Sequence, residues 1–280
     1  MKKIYVLLIV SLAFLSCTTD TKTNETSDSL EFASKKSSNN VKLLKAWASN
    51  NSSPVQKRFV RKFLVEIKNL SFQKNVVVQQ SLKSGLWVSI PLHFKMQKDT
   101  SFEVWRGEYI LPANDFNDEF VIAYEVDGTT YYDNNNGKNY SLFQEDGAYL
   151  NPEIKVLADL EFTRFSGNYF NVNADAVFSN NSSVNAEVVY TTDQWVTTQT
   201  ASLSFQPYFR TGYRNYLVSP NAFNIAKWET SIFFKEKVNT VEFALVYRND
   251  GIEYWDNNFG KNYTLTHLDL ESEGTKQLLL

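Results

Sequence analysis

The chain has 280 residues, room for one large domain or two ordinary ones, and 43% of them are hydrophobic, enough to bury a core. Its 28 Lys and Arg against 31 Asp and Glu leave a net charge of −3, which excludes the basic footprint of a nucleic-acid binder. A single Cys rules out a disulfide framework or zinc finger, and two His, His93 and His267, leave little from which to build a His-based catalytic or metal centre. Aromatics reach 15% beside only 10 Gly and 6 Pro, a composition that favours strands.

In chain order, Met1-Lys2-Lys3 precedes an apolar run from Ile4 to Leu15 and then Ser16-Cys17, the parts of a secretory signal. The run is too short to cross a bilayer core of ~30 Å as a helix. Phe14-Leu15-Ser16-Cys17 resembles a bacterial lipobox. That resemblance implies a signal over 1–17, acylation of Cys17, and a lipid-anchored protein of the bacterial cell envelope, at the outer membrane or cell surface. Residues 18–40 are mostly Ser, Thr, Asn, Asp and Lys, a composition expected to form a flexible tether.

Beyond residue 40 the sequence repeats itself. Gly128 to Tyr140, with Tyr132-Asp133-Asn134-Asn135-Asn136-Gly137-Lys138-Asn139-Tyr140 at its centre, returns as Gly251 to Tyr263 at an offset of 123 residues. Glu119 to Tyr124 returns as Glu242 to Tyr247 at the same offset. Trp87 and Trp195 are 108 apart, so the second copy carries about 15 extra residues between its Trp and its Asn-rich motif. Within each copy, runs such as Phe63–Ile67 and Phe120–Val126 are rich in β-branched and aromatic residues. Asp127-Gly128 and Asp250-Gly251 mark tight hairpins between such runs. The expected fold is all-β: two tandem immunoglobulin-like antiparallel β-sandwich modules, at 41–148 and 153–268, with a tail over 269–280. Gly147 to Pro152 reads as the boundary.

These segments resemble carbohydrate-binding module family 21, the starch- and glycogen-binding domain also present in glycogen-targeting subunits of protein phosphatase 1. The first copy carries Val65-Glu66-Ile67-Lys68-Asn69 with Phe72 and Lys74, then Trp87, then the Tyr132–Tyr140 motif. The second carries Trp195 and Trp255–Tyr263, while Asp175 stands where the first segment's Asn is expected. The resemblance implies non-catalytic binding of α-glucan (starch, glycogen or maltooligosaccharides). It assigns Asn69, Lys74, Trp87, Tyr132, Asn134 and Asn139 to the first site, and Trp195, Trp255, Asn257 and Asn262 to the second. It also implies no metal and no cofactor, with the first site the fuller of the two.

The residue chemistry agrees, because an aromatic ring matches the C–H face of a sugar and an Asn amide bridges hydroxyls. Each residue has a second reading: core packing for the tryptophans, turn architecture for the asparagines, and a solvated charge for Lys74. Asp133 and Asp256 lack the partner carboxylate that glycoside hydrolysis needs, so no enzyme activity is expected. Two alternatives stand beside glucan binding: an adaptor that targets an enzyme to glycogen or starch, and a structural surface lipoprotein. The expected partners are α-glucan, the membrane through the anchor, and other glucan-utilisation proteins, with no nucleic acid.

Overall fold

Antiparallel strands make up nearly all of what the computed structural model describes, residues 32, 34–111, 115–180, 184–212 and 215–267. Cys17, most of the tether and the tail over 269–280 lie outside the described residues. In the first module one sheet runs Gly147–Leu150, Val41–Asn50, Phe59–Lys68, Phe102–Leu111, His93–Gln97. The facing sheet runs Trp87–Pro91, Lys74–Leu82, Phe116–Val126, Thr129–Asp133. Side chains alternate across a strand. Phe63, Val65 and Ile67 therefore face Val76, Val78, Phe120 and Ile122 across a single core. Burying each of these side chains stabilises the fold by about 1.5–3 kcal/mol.

The second module repeats this plan around its own core of Val172, Ala174, Val188, Phe243 and Leu245. One strand differs. Gln199–Gln206 pairs through its first half with Asn185–Thr191 and through its last residues with Ile225–Phe233, so it joins the two layers.

The copies agree down to single hydrogen bonds. The Tyr140 hydroxyl donates to both oxygens of Asp133, at 2.8 and 2.9 Å, and Asp133 also accepts the Leu43 N–H at 2.7 Å. Tyr263 does the same to Asp256, at 2.9 and 2.8 Å, and the Ala158 N–H donates at 2.6 Å. Burial raises the pKa of both carboxyls. Their oxygens are committed to holding the edge strand of the facing sheet.

A second pair corrects the sequence register. Tyr124 donates to the Lys68 carbonyl and Tyr247 to the Val177 carbonyl, at 2.9 and 2.6 Å, so these two positions correspond. Phe178, not Asp175, therefore stands opposite Asn69, and Asp175 corresponds to Glu66. The two copies differ in loop length here, which a match by residue type does not detect.

Asp175 belongs to the joint between the modules. Lys45 of the first module lies 2.5 Å from it, and Lys227 bridges it, at 2.7 Å, to Asp159. Burial opposes these charges, but the opposite charges alongside prevail, holding Lys45 above its ordinary pKa and Asp159 below. Around the network, Trp47, Ala148 and Leu150 pack on Leu157, Phe209, Leu217 and Ile225. The second copy's extra residues fall here, as the hairpin Tyr208–Gly212 and Asn215–Val218. It reaches across with Thr211 and Asn215 donating to the Asn50 and Ser52 carbonyls. The expected boundary also shifts. Gly147–Leu150 is an edge strand on Val41–Asn50, so the first module runs to Leu150.

Candidate functional site

The Asn-rich motif is first of all a turn. The Asn134 carbonyl accepts the N–H groups of Gly137, Lys138 and Asn139 at 3.1, 3.1 and 2.9 Å, and Asn257 does the same for Gly260, Lys261 and Asn262 at 3.1, 3.1 and 2.7 Å. Asn135, Asn136 and Asn139 sit at φ 52–56°, a left-handed region that Asn tolerates better than most residues. The side-chain oxygens of Asn134 and Asn257 cap the same turn by accepting the Gly137 and Gly260 N–H groups. The turn reading holds, and it leaves each Nδ2 group for something else.

In the second module that something is open. The side-chain Nδ2 groups of Asn257 and Asn262 have no hydrogen-bond partner among the described residues. Trp255, opposite Val246 on the outer face, is 50% exposed. Trp195 is half-buried in the turn after Asn185–Thr191, and its indole N–H donates to Glu242 at 2.7 Å. Trp255 donates to Glu253 at 3.2 Å. Both indoles are oriented by carboxylates, an arrangement suited to holding a flat amphipathic ligand.

In the first module the same face is covered by the chain itself. The Phe32 ring lies 4.9 Å from Trp87 and 6.1 Å from Tyr132. Asn134 Nδ2 donates to the carbonyls of Phe32 and Lys35, at 2.7 Å each, and Asn134 is fully buried. Ser38 donates its N–H to the Tyr132 carbonyl at 2.8 Å. The end of the expected tether is thus part of the site. Its sequence signal is the short apolar cluster of Leu30, Phe32 and Ala33 in an otherwise polar stretch, too brief to alter an expectation that rests on composition.

Asn69 and Lys74 do not join this cluster. Lys74 begins a strand on which Trp87 pairs with Ser81, seven residues further along, so the two lie roughly 20 Å apart. The Lys74 side chain is 5% exposed and lies 2.9 Å from Glu103 while donating to Asn69 Oδ1 at 2.6 Å. It is a buried, paired charge that orients Asn69, which overturns the solvated-charge reading. Phe72, 98% exposed in the same loop, is the aromatic neighbour of this pair.

A β-sandwich with an aromatic platform, oriented indoles and free amides defines a class: a module that binds neutral saccharide by stacking and hydrogen bonding. The family model for the carbohydrate/starch-binding module (family 21) matches residues 35–143 and 176–266. The chain belongs to this family. It is 36% identical over 90 residues to protein phosphatase 1 regulatory subunit 3B of Danio rerio, covering 29% of each chain, so it spans less than a third of that relative. Among solved structures it is similar to the starch-binding domain of Rhizopus oryzae glucoamylase in complex with β-cyclodextrin and maltoheptaose. The identity is 28% and the TM-score 0.29, over 39% of this chain and 98% of that one. It is also similar to the carbohydrate-binding module of the muscle glycogen-targeting subunit of protein phosphatase-1, at 23% identity and TM-score 0.26, over 38% and 76%.

Proposed function

We propose that this protein is a non-catalytic, lipid-anchored binder of α-glucan, held at the bacterial cell envelope through Cys17. The observation that carries the reading is the second module's open platform, with Trp195 and Trp255 for the ring faces and the Asn257 and Asn262 amides for hydroxyls. The first module's platform of Trp87, Tyr132 and Asn134 is the same device, covered by Phe32, Lys35 and Ser38. The family, a carbohydrate/starch-binding module, supports the substrate class.

The test is retention of the full chain on insoluble starch, with cellulose as control. Retention on starch alone, lost in Trp195→Ala/Trp255→Ala at an unchanged thermal midpoint, supports the reading. Equal retention of the variant overturns the assignment of the platform. For the anchor, Cys17→Ser is expected to move the protein from the membrane fraction to the soluble fraction. Membrane retention of that variant argues against lipidation.

A further inference from the structure

Between the modules lies a cavity of about 940 Å³, and none of the four platform rings lines it. In a chain of net charge −3 its lining is one-sided. Glu108 and Glu161 are paired with Lys62, and Asp159 with Lys227 and Lys45. Arg58, Lys95 and Arg106 also line the cavity and form no ion pair among the described residues. Lys95 is half-buried there while Arg58 and Arg106 are open to solvent, and cations gathered on one face without an ion-pair partner attract an anion.

Two local features point the same way. Lys95 falls at a register shift between the pairs Phe94–Trp105 and Met96–Val104, a β-bulge of the kind that re-aims a side chain. Burial, with the charge of Arg106 beside it, lowers its pKa, and the Asp256 carboxylate offsets only part of that cost. The second feature is Phe259, which lines the cavity at φ 59° where the first copy has Asn136. A bulky residue in that region costs roughly 1–2 kcal/mol. Its ring is placed there against local preference, and Phe94, 54% exposed, lines the same space.

We propose that this cleft binds an anionic saccharide, a sugar carrying a phosphate or carboxylate, with Lys95 and Arg106 on the anion and Phe94 and Phe259 against the ring. The site is independent of the glucan platforms.

Calorimetry on the full chain tests it with glucose 6-phosphate, glucuronate, inorganic phosphate and glucose. Saturable binding of glucose 6-phosphate or glucuronate is expected, and the tighter of the two identifies the anion. Lys95→Gln/Arg106→Gln is expected to weaken it about tenfold or more, with maltoheptaose binding kept within about twofold. Phe259→Asn, which restores a residue suited to the backbone, is expected to fold at least as stably and still weaken the anionic sugar. No saturable binding of either anionic sugar overturns the proposal, as does binding unchanged in the cation variant. Loss of that binding in Trp255→Ala also overturns it, by moving the ligand to the platform. Inorganic phosphate or glucose binding as tightly as glucose 6-phosphate overturns the charged-sugar assignment.

Discussion

At Tyr132 the outer face of the first module is closed over by Phe32, while at Trp255 the corresponding face of the second is half open to solvent. Beneath both faces the turns are the same: Asn134 and Asn257 use carbonyl and side-chain oxygens identically, and only their Nδ2 groups part ways. A repeated motif thus specifies a shape twice, and what covers that shape decides whether a ligand reaches it. Glu119 and Glu242 show the same principle. The first accepts Asn139 Nδ2 at 3.3 Å, whereas the second is engaged by Trp195 and leaves Asn262 unoccupied.

The largest expected effect tests the shared part. Asp133→Ala and Asp256→Ala each strand a buried tyrosine hydroxyl and a buried backbone N–H, so each should cost about 3 kcal/mol in denaturant unfolding. A small loss at one position alone would show that the scaffolds differ there.

The next tests the difference. Trp255→Ala should weaken maltoheptaose binding about 10- to 30-fold, since an exposed stacking ring contributes about 1.5–2 kcal/mol. Tyr132→Ala, lying under the chain's own cover, should change it less than about twofold. Reversed magnitudes by calorimetry would make the first module the open one.

Removing the cover should then erase the contrast. With Phe32→Ser, two hydrogen bonds to Asn134 lose the ring that seats them, and calorimetric stoichiometry should rise from about one maltoheptaose per chain toward two. Affinity for long glucan should rise as well, because a polymer reaching both platforms makes its second encounter intramolecular. Unchanged stoichiometry would mean that residues 32–38 do not compete with sugar.

The smallest effect concerns acid. Asp159, held below its ordinary 3.8 by Lys227 and Lys45, contributes stability that is present above about pH 4 and lost as pH falls further. Asp133 and Asp256 are raised, so the native state takes up their protons first and gains stability as pH falls through their folded values. As pH falls below about 4 the joint should therefore loosen before either sandwich does. Hydrogen exchange at the Trp47 indole against core amides would read the order, and Asp159→Asn should flatten the acid response of the joint.

Alternation in runs such as Phe63–Ile67, hairpin residues such as Asp127-Gly128, and a motif recurring at an offset of 123 were enough to give two all-β modules and the turn that carries their rings. These features are local, and side-chain period and turn chemistry are written in neighbouring residues. Contacts between residues far apart were not readable. Asn134 meets Phe32 across 102 positions and Lys45 meets Asp175 across 130. The burial of Lys74, the equivalence of Phe178 with Asn69, and the hairpin that clamps the modules also depend on packing. Sequence pattern tells which way a side chain points; which partner it meets there is decided only when the layers come together.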